Sequence, residues 1–205
     1  MSPLRARIER GDTLLCDGAM GTLLFARGLK AGECPEKINL DNPESLTEIA
    51  GLYLDAGSDI ISTNTFGGSP LKLSQYHLDD RAEEINRAAV KAVRQAVGER
   101  AFIAASIGPC GKLLKPYGDT EPEEVRKSFE RQIGAVIEEG VDAVFIETMT
   151  DLGEAVLAVQ ATRKLSENIP SSATMTFDTT SKGFFTIMGV TIEQACRGLA
   201  DETWV

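Results

Sequence analysis

Two heptapeptides, AGSDIIS at 56–62 and EGVDAVF at 139–145, decide the fold. Each starts where an apolar-periodic helix should end and passes a glycine suited to the left-handed turn after a helix. Each then reaches an aspartate that opens a short apolar run. Gly57 precedes Asp59 by the same spacing as Gly140 precedes Asp142, so one helix-to-strand junction is used twice. A repeated junction of this kind belongs to consecutive βα units, whose parallel strands must be joined by crossover helices.

The same alternation extends along the chain in both directions. Short apolar runs at 13–16, 59–63, 102–106, 143–147 and 173–177 read as strands, most of them nearly continuous, as strands covered on both faces should be. Between them apolar residues recur at helical spacing: Leu46, Ile49, Ala50 and Tyr53; Ile85, Ala89, Ala92, Val93 and Ala96; Val125, Phe129, Ile133 and Val136; Leu152, Ala155, Val156 and Val159. Asn42 before Pro43, Thr120 before Glu123, Asp151 before Glu154 and Thr191 before Gln194 are expected to cap the helices they precede. With a last helix at 192–200, the pattern predicts about five βα units, and 203–205 read as the start of a sixth strand. The expected class is α/β, a partial (β/α)8 TIM barrel. All 205 residues form its N-terminal part, with no second domain. A doubly wound open sheet is the architectural alternative. Either a C-terminal half-barrel or self-association is expected to cover the strand edges.

Composition narrows the function. A formal net charge of −10, with no local Lys/Arg cluster, excludes nucleic acid as a partner. The apolar stretch behind the basic start spans only 13–16, too short for a signal-peptide core or a membrane span, so a cytoplasmic location is expected. The cysteines Cys16, Cys34, Cys110 and Cys196 are widely spaced and only one histidine, His77, accompanies them, so no closed zinc site and no disulfide framework is predicted. His77 reads as an exposed loop residue without a role.

In either architecture ligands bind beyond the C-terminal ends of the strands. After the first run stands DGAMGT at 17–22, where Asp17 is followed by small residues that leave backbone N–H groups accessible to a ligand carrying ammonium and carboxylate. By composition alone the segment reads first as a tight strand-to-helix turn with a self-capping Asp. After the second run come Thr63 and Asn64, with Asn64 able to donate and accept at the mouth or simply to build a turn. The third ends at ASIGPCG, 105–111; with no neighbouring His or second Cys, Cys110 reads as a buried thiol and no catalytic residue is assigned. The fourth ends in Glu147, on the same rim as Asp17. Two carboxylates converging there suit an amine. Acid/base work on a sugar is the competing chemistry, disfavoured because the chain has 1 Trp and 3 Tyr for stacking.

Taken in order, DGAMGT (17–22), CPEKINLDNPE (34–44), AGSDIISTNTFGG (56–68), ASIGPCG (105–111) and ETMTD (147–151) resemble the homocysteine S-methyltransferase family, especially the homocysteine domain of corrinoid- and folate-linked methionine synthases. The resemblance implies a (β/α)8 barrel that transfers a methyl group to the zinc-activated thiolate of homocysteine. Corrinoid or methyltetrahydrofolate is the possible donor, and a corrinoid-bearing protein or domain the possible partner. It also implies that Asp17 and Glu147 bind the substrate ammonium, that Gly18, Ala19, Met20 and Gly21 receive its carboxylate through their backbone, and that Thr63 and Asn64 line the reacting region. The family's zinc ligands are a cysteine after strand six and an adjacent pair in a Gly-Gly-Cys-Cys motif after strand eight. None of the four cysteines lies in those contexts, so no metal ligand is assigned. Zinc is expected of the complete domain, with ligands beyond Val205, and the isolated chain is expected to be inert. Alternatives are a non-catalytic amino-acid-binding or assembly module, and a corrinoid-linked methyltransferase with another acceptor.

Overall fold

The computed structural model describes residues 2–200. Its elements run α1 (Pro3–Glu9), α2 (Gly21–Ala26), α3 (Ile38–Asp41), α4 (Pro43–Asp55), β1 (Ile60–Ser62), α5 (Pro70–Leu73), α6 (Ala82–Val97), β2 (Phe102–Ile107), α7 (Pro122–Glu138), β3 (Ala143–Met149), α8 (Leu152–Leu165), β4 (Ser171–Met175), β5 (Asp178–Thr180), β6 (Gly183–Phe185) and α9 (Ile192–Ala200). The expected sixth strand at 203–205 lies outside the described residues.

The sheet is parallel with strand order β1-β2-β3-β4. Sequential order without reversal, and helices that pack each on the next from α4 through α6, α7 and α8 to α9, describe successive units of a barrel wall. A doubly wound sheet would reverse its order and place helices on both faces.

The duplicated junction holds down to its hydrogen bonds. Gly57 and Gly140 adopt φ of 98° and 93°. Asp59 donates its N–H to Leu15 O at 2.7 Å and accepts from Leu15 N at 2.9 Å, while Arg7 pairs with its other oxygen at 2.9 Å. Asp142 donates to Ile103 O at 2.8 Å, accepts from Ile103 N at 2.8 Å and pairs with Arg94 at 3.3 Å. Each aspartate thus stitches the start of its own strand to the preceding strand.

Two faces of the sheet bury different residues, as the period of two requires. Ile61, Ile103, Ala105, Ile107, Val144 and Ile146 face the helices and form the main core with α6, α7 and α8. Ile60, Phe102, Ala104, Ala143 and Phe145 point the other way, where Leu14 and the fully buried Leu4 of α1 cover them. The parity continuing up this inner face is that of Ser62, Ser106 and Glu147.

Three expectations need correction. The 13–16 run makes a single parallel bridge, Cys16 with Ile60, because it has one neighbouring strand among the described residues and only its last residues align with it. Among the described residues the sheet therefore contains four strands where five are expected. The last strand starts at Ser171 and ends at Met175, and the antiparallel β5–β6 pair comes directly after it, a turn the alternation pattern does not announce. Thr120 does not cap α7: Glu121 holds the cap position without a side-chain bond. Asn42 and Asp151 do cap α4 and α8, and Thr191 with Gln194 forms a reciprocal capping box on α9, at 3.2 and 2.9 Å.

Candidate functional site

The C-terminal ends of the strands bring the two expected carboxylates to one mouth. Asp17 follows the bridge at Cys16 and donates its N–H to Ile60 O at 3.0 Å. Its carboxylate is clamped by Ser62, which donates its N–H to Oδ2 at 2.9 Å and its hydroxyl to Oδ1 at 2.8 Å. Burial pushes the Asp17 carboxyl above the usual aspartate range despite those bonds, and the negative charge of Glu147 adds to the rise. Neither carboxylate has an ion-pair partner among the described residues.

Glu147 reaches the mouth through an irregular strand end. The register of β3 against β4 shifts between Ile146 and Met149, and Thr148 takes φ of 60°. A β-branched residue in the left-handed region is strained, and a bulge re-aims the side chains beside it. The Thr148 N–H is held by Thr174 Oγ1 at 3.2 Å. On the neighbouring strand the hydroxyl of Ser106 donates to Glu147 Oε1.

The 17–22 segment is exposed apart from half-buried Asp17 and Met20, and the backbone N–H groups of 18–22 have no acceptor among the described residues. Tyr53 secures it by donating its hydroxyl to Ala19 O at 2.9 Å. A Cβ at Gly18 would stand 2.9 Å from the Tyr53 hydroxyl oxygen, so a larger residue there would push Tyr53 out of this contact.

Thr63 and Asn64 are brought to the same end of the sheet, but their polar groups turn into the protein. Thr65 spends its proton on Ser106 O at 2.8 Å, which leaves Thr63 as the donor in the 2.6 Å Thr63–Thr65 contact. Asn64 gives both amide hydrogens to the 34–39 segment, to Pro35 O at 2.9 Å and Asn39 Oδ1 at 2.8 Å.

Sequence reasoning missed two residues at this mouth, Ser62 and Ser106, and two buried glutamates elsewhere, Glu36 and Glu154. Ser62 and Ser106 are legible by parity alone, since they continue the inward series of Ile60 and of Phe102 and Ala104. Glu36 and Glu154 carry no such signal. Glu36 is buried and accepts from Gly67 N at 2.7 Å and from the Cys34 thiol at 3.4 Å. Glu154 is buried beneath the GPC turn, accepts from Cys110 N at 2.6 Å, and has its carboxyl raised by burial. It therefore turns away from the capping role its spacing suggests.

The cysteines are dispersed. Burial, reinforced by the charge of Glu36, pushes the Cys34 thiol up to about 11. Cys110 is raised further by burial and Glu154. Cys16 and Cys196 are exposed, Cys16 with its thiol raised by burial and by Asp17, Asp59 and Glu147. No group of three or more His, Cys, Asp or Glu among the described residues could hold a metal ion, so they do not fit a zinc site. His77 is exposed, in a left-handed turn. A cavity of about 450 Å³ lies apart from the carboxylates, between Leu24, Leu29, Cys34, Ile38 and Tyr76. No helix among the described residues is long and apolar enough to cross a membrane.

Known proteins share both the sequence pattern and the architecture of this chain. The family model described as homocysteine S-methyltransferase matches residues 14–205. Methionine synthase of Mycobacterium tuberculosis is 31% identical over 182 residues, covering 80% of this chain, and that of Mycobacterium leprae is 31% identical over the same length. The chain spans 15% of the length of these relatives. Among solved structures, the metallated form of the homocysteine methyltransferase MmuM from Escherichia coli superimposes with a TM-score of 0.81 at 22% identity, covering 98% of this chain and 75% of that one. Its oxidised form gives 0.80, covering 98% and 73%. At that identity the likeness is one of fold.

Proposed function

The chain belongs to the homocysteine S-methyltransferase family, and on that premise we propose that its strand-end mouth binds homocysteine as a methyl acceptor. One observation carries the reading: Asp17 and Glu147 share a half-buried mouth with no cation of the protein to neutralise them among the described residues. A carboxylate pair in that state favours a ligand that brings its own positive charge. The ammonium of the amino acid sits between Asp17 and Glu147. Its carboxylate is received by the unpaired N–H groups of Gly18, Ala19, Met20 and Gly21, where a negative group meets donors without competing acceptors.

Asn64 and Thr63 act in this reading as the wall behind the ligand. Their donors are committed to the protein, so they shape the pocket and do not reach for the substrate. Because the described residues do not fit zinc, the chain's own contribution is binding and orientation. Zinc bound by other residues would supply thiolate activation. Methyl transfer to give methionine is a further part of the proposal, supported by the methionine synthases among the relatives; a corrinoid or folate donor and a cytoplasmic location belong to it as extensions of the sequence resemblance.

Calorimetric titration tests the reading. Homocysteine is expected to bind the 205-residue chain. Its desamino analogue 4-sulfanylbutanoate, which keeps thiol and carboxylate, is expected to bind at least tenfold more weakly for want of a charge-assisted bond worth roughly 1.5–3 kcal/mol. Equal affinity for the two would refute the ammonium site.

A further inference from the structure

We propose that Ser106 is the positioning residue for Glu147: its hydroxyl, held on β2 and aimed across to β3, sets the direction in which Glu147 presents its second oxygen to a cationic ligand. The inference rests on the ammonium-binding role given to Glu147 above.

The placement follows from the sheet. Ser106 pairs in register with Phe145, two residues before Glu147, and both side chains belong to the inner face. Ser106 is 5% exposed in a strand that otherwise reads Phe-Ile-Ala-Ala-Ile. A hydroxyl in that setting needs a partner, since a buried polar group left unpaired has lost its water without compensation. Its partner is Glu147 Oε1. The backbone of Ser106 is fixed from the other side, where Thr65 donates to its carbonyl at 2.8 Å. The donor therefore stands on a rigid strand between two neighbours.

Glu147 depends on this contact more than Asp17 depends on its own. Asp17 accepts from both the N–H and the hydroxyl of Ser62, so losing the hydroxyl leaves a backbone bond in place. The only side-chain hydrogen bond of Glu147 among the described residues comes from Ser106. Past Glu147 the chain is bulged and left-handed at Thr148, which leaves the carboxylate no backbone clamp of the kind Asp17 enjoys. With Oε1 committed to Ser106, Oε2 is the oxygen left to face the mouth. Removing the serine hydroxyl frees the glutamate to swing among rotamers, and the ligand then has to order it on binding.

The experiment is a titration of homocysteine and of 4-sulfanylbutanoate into the wild-type chain and into Ser106→Ala, Ser106→Thr and Ser62→Ala, with the unfolding midpoint of each recorded. Ser106→Ala is expected to weaken homocysteine binding by roughly three- to tenfold, the cost of ordering one freed side chain on binding, while leaving the analogue unchanged. Ser106→Thr, which keeps the hydroxyl, restores the preference, and Ser62→Ala loses less than Ser106→Ala. Equal weakening of both ligands, or no change for homocysteine, would overturn the positioning role while leaving the ammonium site standing. A wild-type chain that does not distinguish the two ligands would overturn the ammonium site, and this inference with it. If Ser106→Ala does not fold, Ser106→Cys keeps the shape with a weak donor and is read by the same ratio.

Discussion

Asn64 and Asn39 hold each other reciprocally: Asn64 Nδ2 donates to Asn39 Oδ1 at 2.8 Å, and Asn39 Nδ2 donates back to the Asn64 carbonyl at 2.8 Å. Asn39 also donates to Ile85 O at 3.1 Å and is 1% exposed. The pair ties α3 to the loop after β1 and to α6. Asn39→Ala leaves the Asn64 carbonyl and one hydrogen of the Asn64 amide without partners, at about 1–3 kcal/mol each. The expected loss is on the order of 3 kcal/mol, measured by urea unfolding; a loss under about 1 kcal/mol would place the variant with ordinary substitutions and refute the clamp.

The carboxylates should matter for affinity more than for stability. Glu147→Gln keeps the shape and removes the charge, and is expected to weaken homocysteine binding by roughly tenfold or more with an unfolding midpoint close to wild type. Unchanged affinity would remove Glu147 from the site.

Acid should weaken ligand binding through Asp17. Its carboxyl is raised first by burial and then by Glu147, so on lowering the pH it takes up a proton before an ordinary aspartate does. The affinity for an ammonium ligand should fall there. Stability moves the opposite way: the folded state holds this proton more tightly than the unfolded one, so the cost of the buried charge is present at neutral pH and is relieved as pH falls through the raised value. Asp17→Asn should accordingly be more stable than wild type at neutral pH, with the difference fading in acid, and should bind the ligand with a flatter pH profile. A variant less stable than wild type at neutral pH would contradict the assignment.

Thr148 stores strain beside the site. Leaving the left-handed region to glycine relieves roughly 1–2 kcal/mol and gives back about 0.5–1 kcal/mol in chain entropy. Thr148→Gly is expected to raise stability by up to about 1 kcal/mol while loosening Glu147 and lowering homocysteine affinity. Denaturant unfolding and titration on the same sample check both; a stable variant with unaltered affinity would separate the strain from the site.

Thiol chemistry should divide the cysteines by burial. In the native chain a disulfide reagent should modify Cys16 and Cys196, which are exposed, and spare Cys34 and Cys110 until the protein is unfolded. Peptide mapping after labelling identifies them, and native labelling of Cys110 would show that the turn held by Glu154 opens.

Much of the scaffold is local chemistry and so is legible along the chain. The two Gly-x-Asp junctions announce themselves because a left-handed glycine and a strand-opening aspartate are demands of the backbone in their own neighbourhood. Helices α4, α6, α7 and α8 announce themselves because each must bury one stripe against the sheet. Asp17 and Glu147 are legible for a related reason, as carboxylates that end apolar runs have no place in the core and must stand at the rim.

Tertiary structure decides what those residues do next. Residues 13–16 have the composition of a strand, yet a strand exists only where a neighbour pairs with it, and alignment with β1 begins only near Cys16. Asn64 reads as a donor at the mouth, but its amide is spent on Pro35 and Asn39, 29 and 25 residues away in sequence. Glu154 reads as a capping residue and instead holds Cys110 N. Ser106 becomes significant only when the register of β2 against β3 sets it beside Glu147. Sequence determines which groups need partners, through burial, backbone conformation and charge; which partner each one finds depends on strands and loops far apart in the chain meeting in a single register.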